Sequence, residues 1–126
     1  MKKMQTMGGF FVAAVTPFDE NGKFNAPALH KLMDKPLAEG ANGFLIGGSS
    51  AECPLLSHAE REEGLAAASA YHDRAKTHLM ASVAAISTEE AVAYAKTAKE
   101  LGYDAMISTV PYYYKFGMKA IAEYYN

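Results

Sequence analysis

Gly43-Phe44-Leu45-Ile46-Gly47-Gly48-Ser49-Ser50-Ala51-Glu52 is the stretch on which the fold turns. Phe44 to Ile46 form a short apolar run with no polar position, which reads as a strand, and the glycines after it permit a sharp turn. Ser57 and Glu60 follow with the S-x-x-E spacing of a capping box, in which side chain and backbone satisfy each other at a helix start. That helix is expected to run to about Arg74. A strand, a glycine-serine loop and a capped helix in this order make one β/α unit.

Upstream the same unit recurs. Gly9 to Thr16 is a continuous run of small, aromatic and β-branched residues, as expected of a strand buried on both faces, and Pro17 ends it. Asp19-Glu20-Asn21-Gly22 is a turn cluster. Asn25 is placed to cap a helix whose apolar positions Leu29, Leu32, Met33 and Leu37 recur at three- and four-residue spacing, with Gly40 closing it. Pro36 falls inside that pattern and predicts a kink or a restart.

Downstream, His78 to Val83 reads as a third strand. Ser87 and Glu90 repeat the capping-box spacing ahead of an alanine-rich helix that ends at Leu101-Gly102. Ala105 to Val110 is a fourth strand, Pro111 with Tyr112-Tyr113-Tyr114 the loop after it, and Met118 to Asn126 the start of another helix. The glycine-ended joints Glu39 to Gly43 and Glu100 to Asp104 are weakly alike. Units repeating at roughly 25 to 35 residues imply parallel pairing, in one domain over residues 1–126 with no linker. An open doubly wound sheet and a closed eight-stranded barrel both use such units. The loop after the first strand has no G-x-G-x-x-G and no Walker lysine, so the phosphate cradle of nucleotide-binding open sheets is missing, although a four-stranded flavodoxin-like domain stays open.

Of 126 residues, half are hydrophobic and a fifth charged, which is ordinary for a globular domain and excludes a disordered chain. The net charge of −2, with basic residues scattered, leaves no footprint for nucleic acid or an anionic membrane and points to small molecules or subunits as partners. Cys53 is the only cysteine, so no intrachain disulfide can form, and a cytoplasmic location is expected. Met1-Lys2-Lys3 ahead of Phe10 to Val15 has the outline of a secretory signal, but the apolar run is too short and leads straight into Thr16-Pro17-Phe18-Asp19.

Ligands of parallel α/β folds bind beyond the carboxyl ends of the strands, here Thr16, Gly47 to Glu52, Ala84-Ala85 and Pro111 to Tyr114. Glycines beside paired serines allow close backbone approach while two hydroxyls donate, which suits a carboxylate and equally an ordinary polar turn. Three consecutive tyrosines cannot all face the core, so at least one leaves it, either to relay a proton or to pack at an interface. Glu52 is expected to brace its loop as a buried carboxylate. His30, His58, His72 and His78 lack ligand spacing and predict no metal site. Lys115 lies past its strand among loop residues, where a solvated lysine is the expectation.

Together Ala14-Val15-Thr16-Pro17-Phe18, the loop Gly48-Ser49-Ser50-Ala51-Glu52, Leu56-Ser57 with Glu60-Arg61, and Pro111-Tyr112-Tyr113-Tyr114-Lys115 resemble the N-terminal half of the dihydrodipicolinate synthase and N-acetylneuraminate lyase family. The resemblance implies a (β/α)8 TIM barrel, of which this chain covers about the first four β/α units. It implies a homo-oligomer, usually a tetramer of tight dimers. It implies a lyase or synthase that makes or breaks a carbon-carbon bond through a Schiff base of pyruvate, with an aldehyde as second substrate and no metal or organic cofactor. Ser49 matches the hydroxyl of the family's proton relay, Ser50 with Gly48 the carboxylate-binding position, and Tyr113 the tyrosine lent across the tight dimer. Thr16, Glu52 and Tyr112 are expected to support the loops. The family loop reads G-[ST]-T-G-E, so Ala51 replaces a glycine, and a positive φ there would be costly. The Schiff-base lysine and a second relay tyrosine belong to later strands and are absent from this chain. A half barrel also leaves strand edges open, so either the natural chain is longer, two copies pair, or the chain acts as a noncatalytic assembly or binding subunit.

Overall fold

The computed structural model describes residues 7–126. The Met1-Lys2-Lys3 start lies outside them. Eight main elements follow in order: β1 (Phe11–Ala13), α1 (Ala26–Ala38), β2 (Gly43–Ile46), α2 (His58–Ser69), β3 (His78–Ser82), α3 (Thr88–Glu100), β4 (Ala105–Ile107) and α4 (Met118–Tyr125). The strands form one sheet in the order β1-β2-β3-β4, every pair parallel, with Phe11 opposite Gly43, Gly43 opposite His78, and Met80 opposite Ala105.

Two features separate this sheet from a doubly wound one. Each strand lies beside its predecessor with no reversal of order, so there is no topological switch point. The helices also share one face. Phe44, Ile46, Leu79 and Ala81 point to it and form one core with Leu29 and Met33 of α1, Leu65 and Ala68 of α2, and Ala91, Tyr94 and Ala98 of α3. The opposite face carries the row Ala13, Leu45, Met80 and Ala105, none of them buried. That is the wall of a barrel, helices outside and an apolar lining inside.

The local chemistry accounts for most boundaries. The Asn25 side chain accepts from Ala28 N at 3.0 Å and Pro27 sits in the first turn, so α1 begins where its cap predicts. Pro36 causes no restart: α1 is a single helix through it. Only three residues of α1 start at Pro36, so the lost bond falls in the last turn, where the half-exposed Leu32 can leave its carbonyl to water. The helix α2 stops at Ser69 rather than near Arg74, because Tyr71 turns into the core and donates to Asp34 Oδ1 at 2.8 Å. Arg74 instead ties the base of the sheet together through Gly102 O and Asp104.

Ser57 and Glu60 complete the reciprocal capping box. Ser87 makes only half of one. Its hydroxyl accepts from Glu90 N at 3.2 Å, but the Glu90 carboxylate is taken by the Tyr94 hydroxyl at 3.0 Å. Strands β1 and β4 are shorter than their apolar runs and not buried on both faces, since each has a partner on one side only among the described residues. Phe10, Val15, Met106, Ile107 and Val110 are exposed there. Gly43 is required by the sheet itself, because a Cβ there would meet His78 O at 2.1 Å and the Phe11 ring at 2.8 Å.

Candidate functional site

The carboxyl ends of the strands gather three segments. The loop after β2 opens with Gly47 at φ 71, then makes a 3-10 turn over Ser49–Ala51 held by Ala51 N to Gly48 O at 3.1 Å. A second 3-10 turn, Cys53–Leu55, carries the chain toward α2. Ser49 and Ser50 are both exposed, whereas Gly48 and Ala51 on either side of them are buried. Thr16, past the end of β1, donates from Oγ1 to Ala51 O at 2.8 Å and so ties the first loop to the second.

The glycine-to-alanine departure has a different meaning here than the sequence suggested. Ala51 lies inside the 3-10 turn and is not among the residues with positive φ, so no strain falls on it. The left-handed position is Glu52, at φ 59 and ψ 31. Nor is Glu52 a buried carboxylate. Its side chain is exposed, and its backbone braces the loop, donating to Ser49 O at 3.0 Å and accepting from Leu55 N at 2.8 Å. The turn needs Glu52 as a junction between two helical turns, which leaves the side chain pointing outward. Cys53 is buried and free.

The third segment follows β4. Tyr112, Tyr113 and Tyr114 are all exposed, none entering the core, with the rings of Tyr113 and Tyr114 edge-on at 4.8 Å. Lys115 is exposed as well. The loop is anchored behind by Ser108, which meets the Tyr124 hydroxyl at 2.9 Å and accepts from Tyr125 at its carbonyl.

Sequence reading gave Arg61 no role. It is buried on the inner face of α2, with Nη2 donating to Ser82 O at the end of β3 and its guanidinium carbon 3.8 Å from the Tyr94 ring centroid. Burial pushes the Tyr94 phenol up to about 12, against a lowering pull from Arg61 and with the Glu90 carboxylate adding to the rise. A signal was available: Arg61, Leu65 and Ala68 share the buried stripe of α2, and a charge on such a stripe is unusual. Among the described residues no group of three histidine, cysteine or carboxylate side chains is placed to hold a metal.

A family model described as the dihydrodipicolinate synthetase family matches residues 6–126. The chain belongs to that family. An N-acetylneuraminate lyase of Citrobacter koseri is 35% identical over 118 residues, covering 94% of this chain and 39% of that protein. Among solved structures, that of CdNal from Clostridium difficile in complex with mannosamine superposes with a TM-score of 0.90 at 32% identity, covering 97% of this chain and 42% of that one. A dihydrodipicolinate synthase from Aquifex aeolicus gives 0.86 at 31% identity, covering 94% and 40%. The chain therefore spans about two fifths of the length of these relatives and folds as the first half of their (β/α)8 barrel. No helix among the described residues is long and apolar enough to cross a membrane.

Proposed function

We propose that the whole protein is a lyase or synthase that makes or breaks a carbon-carbon bond through an imine of a 2-oxo acid such as pyruvate, and that this chain supplies the carboxylate-binding side of its site. The observation that carries the reading is the Gly48-Ser49-Ser50 turn, presented at a strand end with both serines exposed and braced by the Thr16 bond to Ala51 O. Ser50 and Gly48 hold the carboxylate. Ser49 passes a proton, and Tyr113, exposed on the same end of the sheet, is lent to the relay of a neighbouring subunit in a homo-oligomer. Tyr112 and Glu52 support those loops. The lysine comes from a strand of the barrel's second half. Its neutral amine adds to the keto carbon and expels water, and loss of a proton from the methyl carbon gives the enamine that attacks the aldehyde. No cofactor is needed, and the cytoplasm suits the chemistry.

The test is borohydride reduction of the full-length protein with pyruvate. Hydride adds to the imine carbon and leaves a stable secondary amine, read by intact mass. An unchanged mass in folded full-length protein refutes the lyase reading and favours a noncatalytic half-barrel subunit. An adduct on the 126-residue chain alone would place the lysine within it. Turnover with N-acetylmannosamine or aspartate semialdehyde then selects the aldehyde.

A further inference from the structure

Arg61 is a buried cation at 8% exposure, and no carboxylate among the described residues forms an ion pair with it. The acidic groups around it are engaged elsewhere. Glu60 is bound to Ser57, Glu62 to Thr97 and His58, and Glu90 to the hydroxyl of the very tyrosine whose face the guanidinium covers. One carbonyl and one aromatic face are weak compensation for a buried charge, which is unfavourable unless something anionic balances it. Arg61 also lines a small cavity of about 20 Å³ together with Thr16, Gly47 and Ala51, the residues on which the Ser49-Ser50 turn rests.

We infer that Arg61 is a positioning residue whose unneutralised charge supplies the positive potential beneath the Ser49-Ser50 turn and thereby holds the carboxylate of the 2-oxo acid. The inference rests on the carboxylate reading of that turn. It goes further by naming where the charge comes from, since neither serine carries one. Through Ser82 O, the same guanidinium fixes the end of β3 beside the loop, so the field and the geometry have one source. A unit charge about 10 Å from an anion, at an effective dielectric near 20, alters binding roughly tenfold.

Gly64 allows the charge to be cancelled without removing the arginine. It lies three residues further along α2 and lines the same cavity, and a Cβ added there meets nothing within 4 Å. A carboxylate at this spacing on a helix can reach Arg61. In the full-length protein, G64E and R61M are each expected to raise KM for pyruvate roughly tenfold, with kcat changed less than about threefold. G64A and R61K, which leave the charge in place, are expected to keep KM within about threefold of the parent. If R61M does not fold, G64E against G64A carries the comparison, since Arg61 remains. Unchanged KM in G64E, or an R61K loss as large as that of R61M, overturns the inference while pyruvate binding by the parent protein keeps the carboxylate reading intact. A parent protein that binds no 2-oxo acid overturns both.

Discussion

Replacing Ala51 by glycine restores the residue usual in the family's loop, and it should nevertheless destabilise the protein. Ala51 is 2% exposed and lies in a 3-10 turn with ordinary negative φ. Removing its methyl forfeits about 0.8 kcal/mol of burial. Glycine adds about 0.5 to 1 kcal/mol of backbone freedom to be lost on folding. The sum is about 1.5 kcal/mol, or a Tm lower by roughly 3 to 6 °C. Glu52→Gly should do the opposite, because Glu52 holds the left-handed conformation at φ 59. Releasing that strain gains about 1 kcal/mol and glycine's freedom returns much of it, so the expected result lies between no change and about 1 kcal/mol of stabilisation. Thermal unfolding of the two variants beside the parent, followed by circular dichroism, reads both signs. A stabilised Ala51→Gly together with a destabilised Glu52→Gly would put the left-handed residue at position 51 and refute the loop geometry.

Three further outcomes are expected. Thr16→Val removes the donor to Ala51 O, leaving a part-buried carbonyl unpartnered, so stability should fall by about 1 kcal/mol and KM for the 2-oxo acid should rise; unchanged KM would show the brace to be irrelevant to the site. Ser57→Ala removes the hydroxyl donor, the larger of the two Ser57 bonds that hold the Glu60 carboxyl below the usual carboxylate range, so the stabilisation that bond gives is present above about pH 4.5 and lost as the pH falls through the depressed value. In acid titrations the gap between Ser57→Ala and the parent should therefore narrow to what the lost Ser57 Oγ cap on Glu60 N costs, and a gap that keeps its full size at low pH would refute the carboxylate bond as part of its origin. At high pH, burial holds the Tyr71 and Tyr94 phenols up at about 12 and that of Tyr103 higher still, so the unfolded chain ionises first and stability should fall above about pH 10. Tyr103→Phe, which frees the Leu65 carbonyl, should cost about 1 kcal/mol at neutral pH and flatten that alkaline loss.

The order of elements was legible because the first three units state their own punctuation: a loop after the strand, and Asn25, Ser57 or Ser87 at the helix start. What local pattern could not supply was competition between partners. Ser87 and Glu90 have the spacing of a full box, yet Tyr94, one turn on, claims the carboxylate. Pro36 looks disruptive until its place in the last turn is known. The apolar runs around β1 and β4 exceed the strands because pairing, not hydrophobicity, sets strand length. In the site, the Gly-Ser turn could be found from composition. The shift of positive φ from Ala51 to Glu52 depends on how two short turns join, and the role of Arg61 depends on Ser82 and Tyr94, more than 20 residues away.

The unbroken order β1-β2-β3-β4 bears on how this chain is made. Every strand pairs with the one translated just before it, across an interval of about 25 to 35 residues. At roughly 5 to 20 residues per second, the ribosome releases one such unit every few seconds. Each new strand can therefore dock on an edge already in place as it emerges, and the sheet can grow in one direction while later segments are still being synthesised.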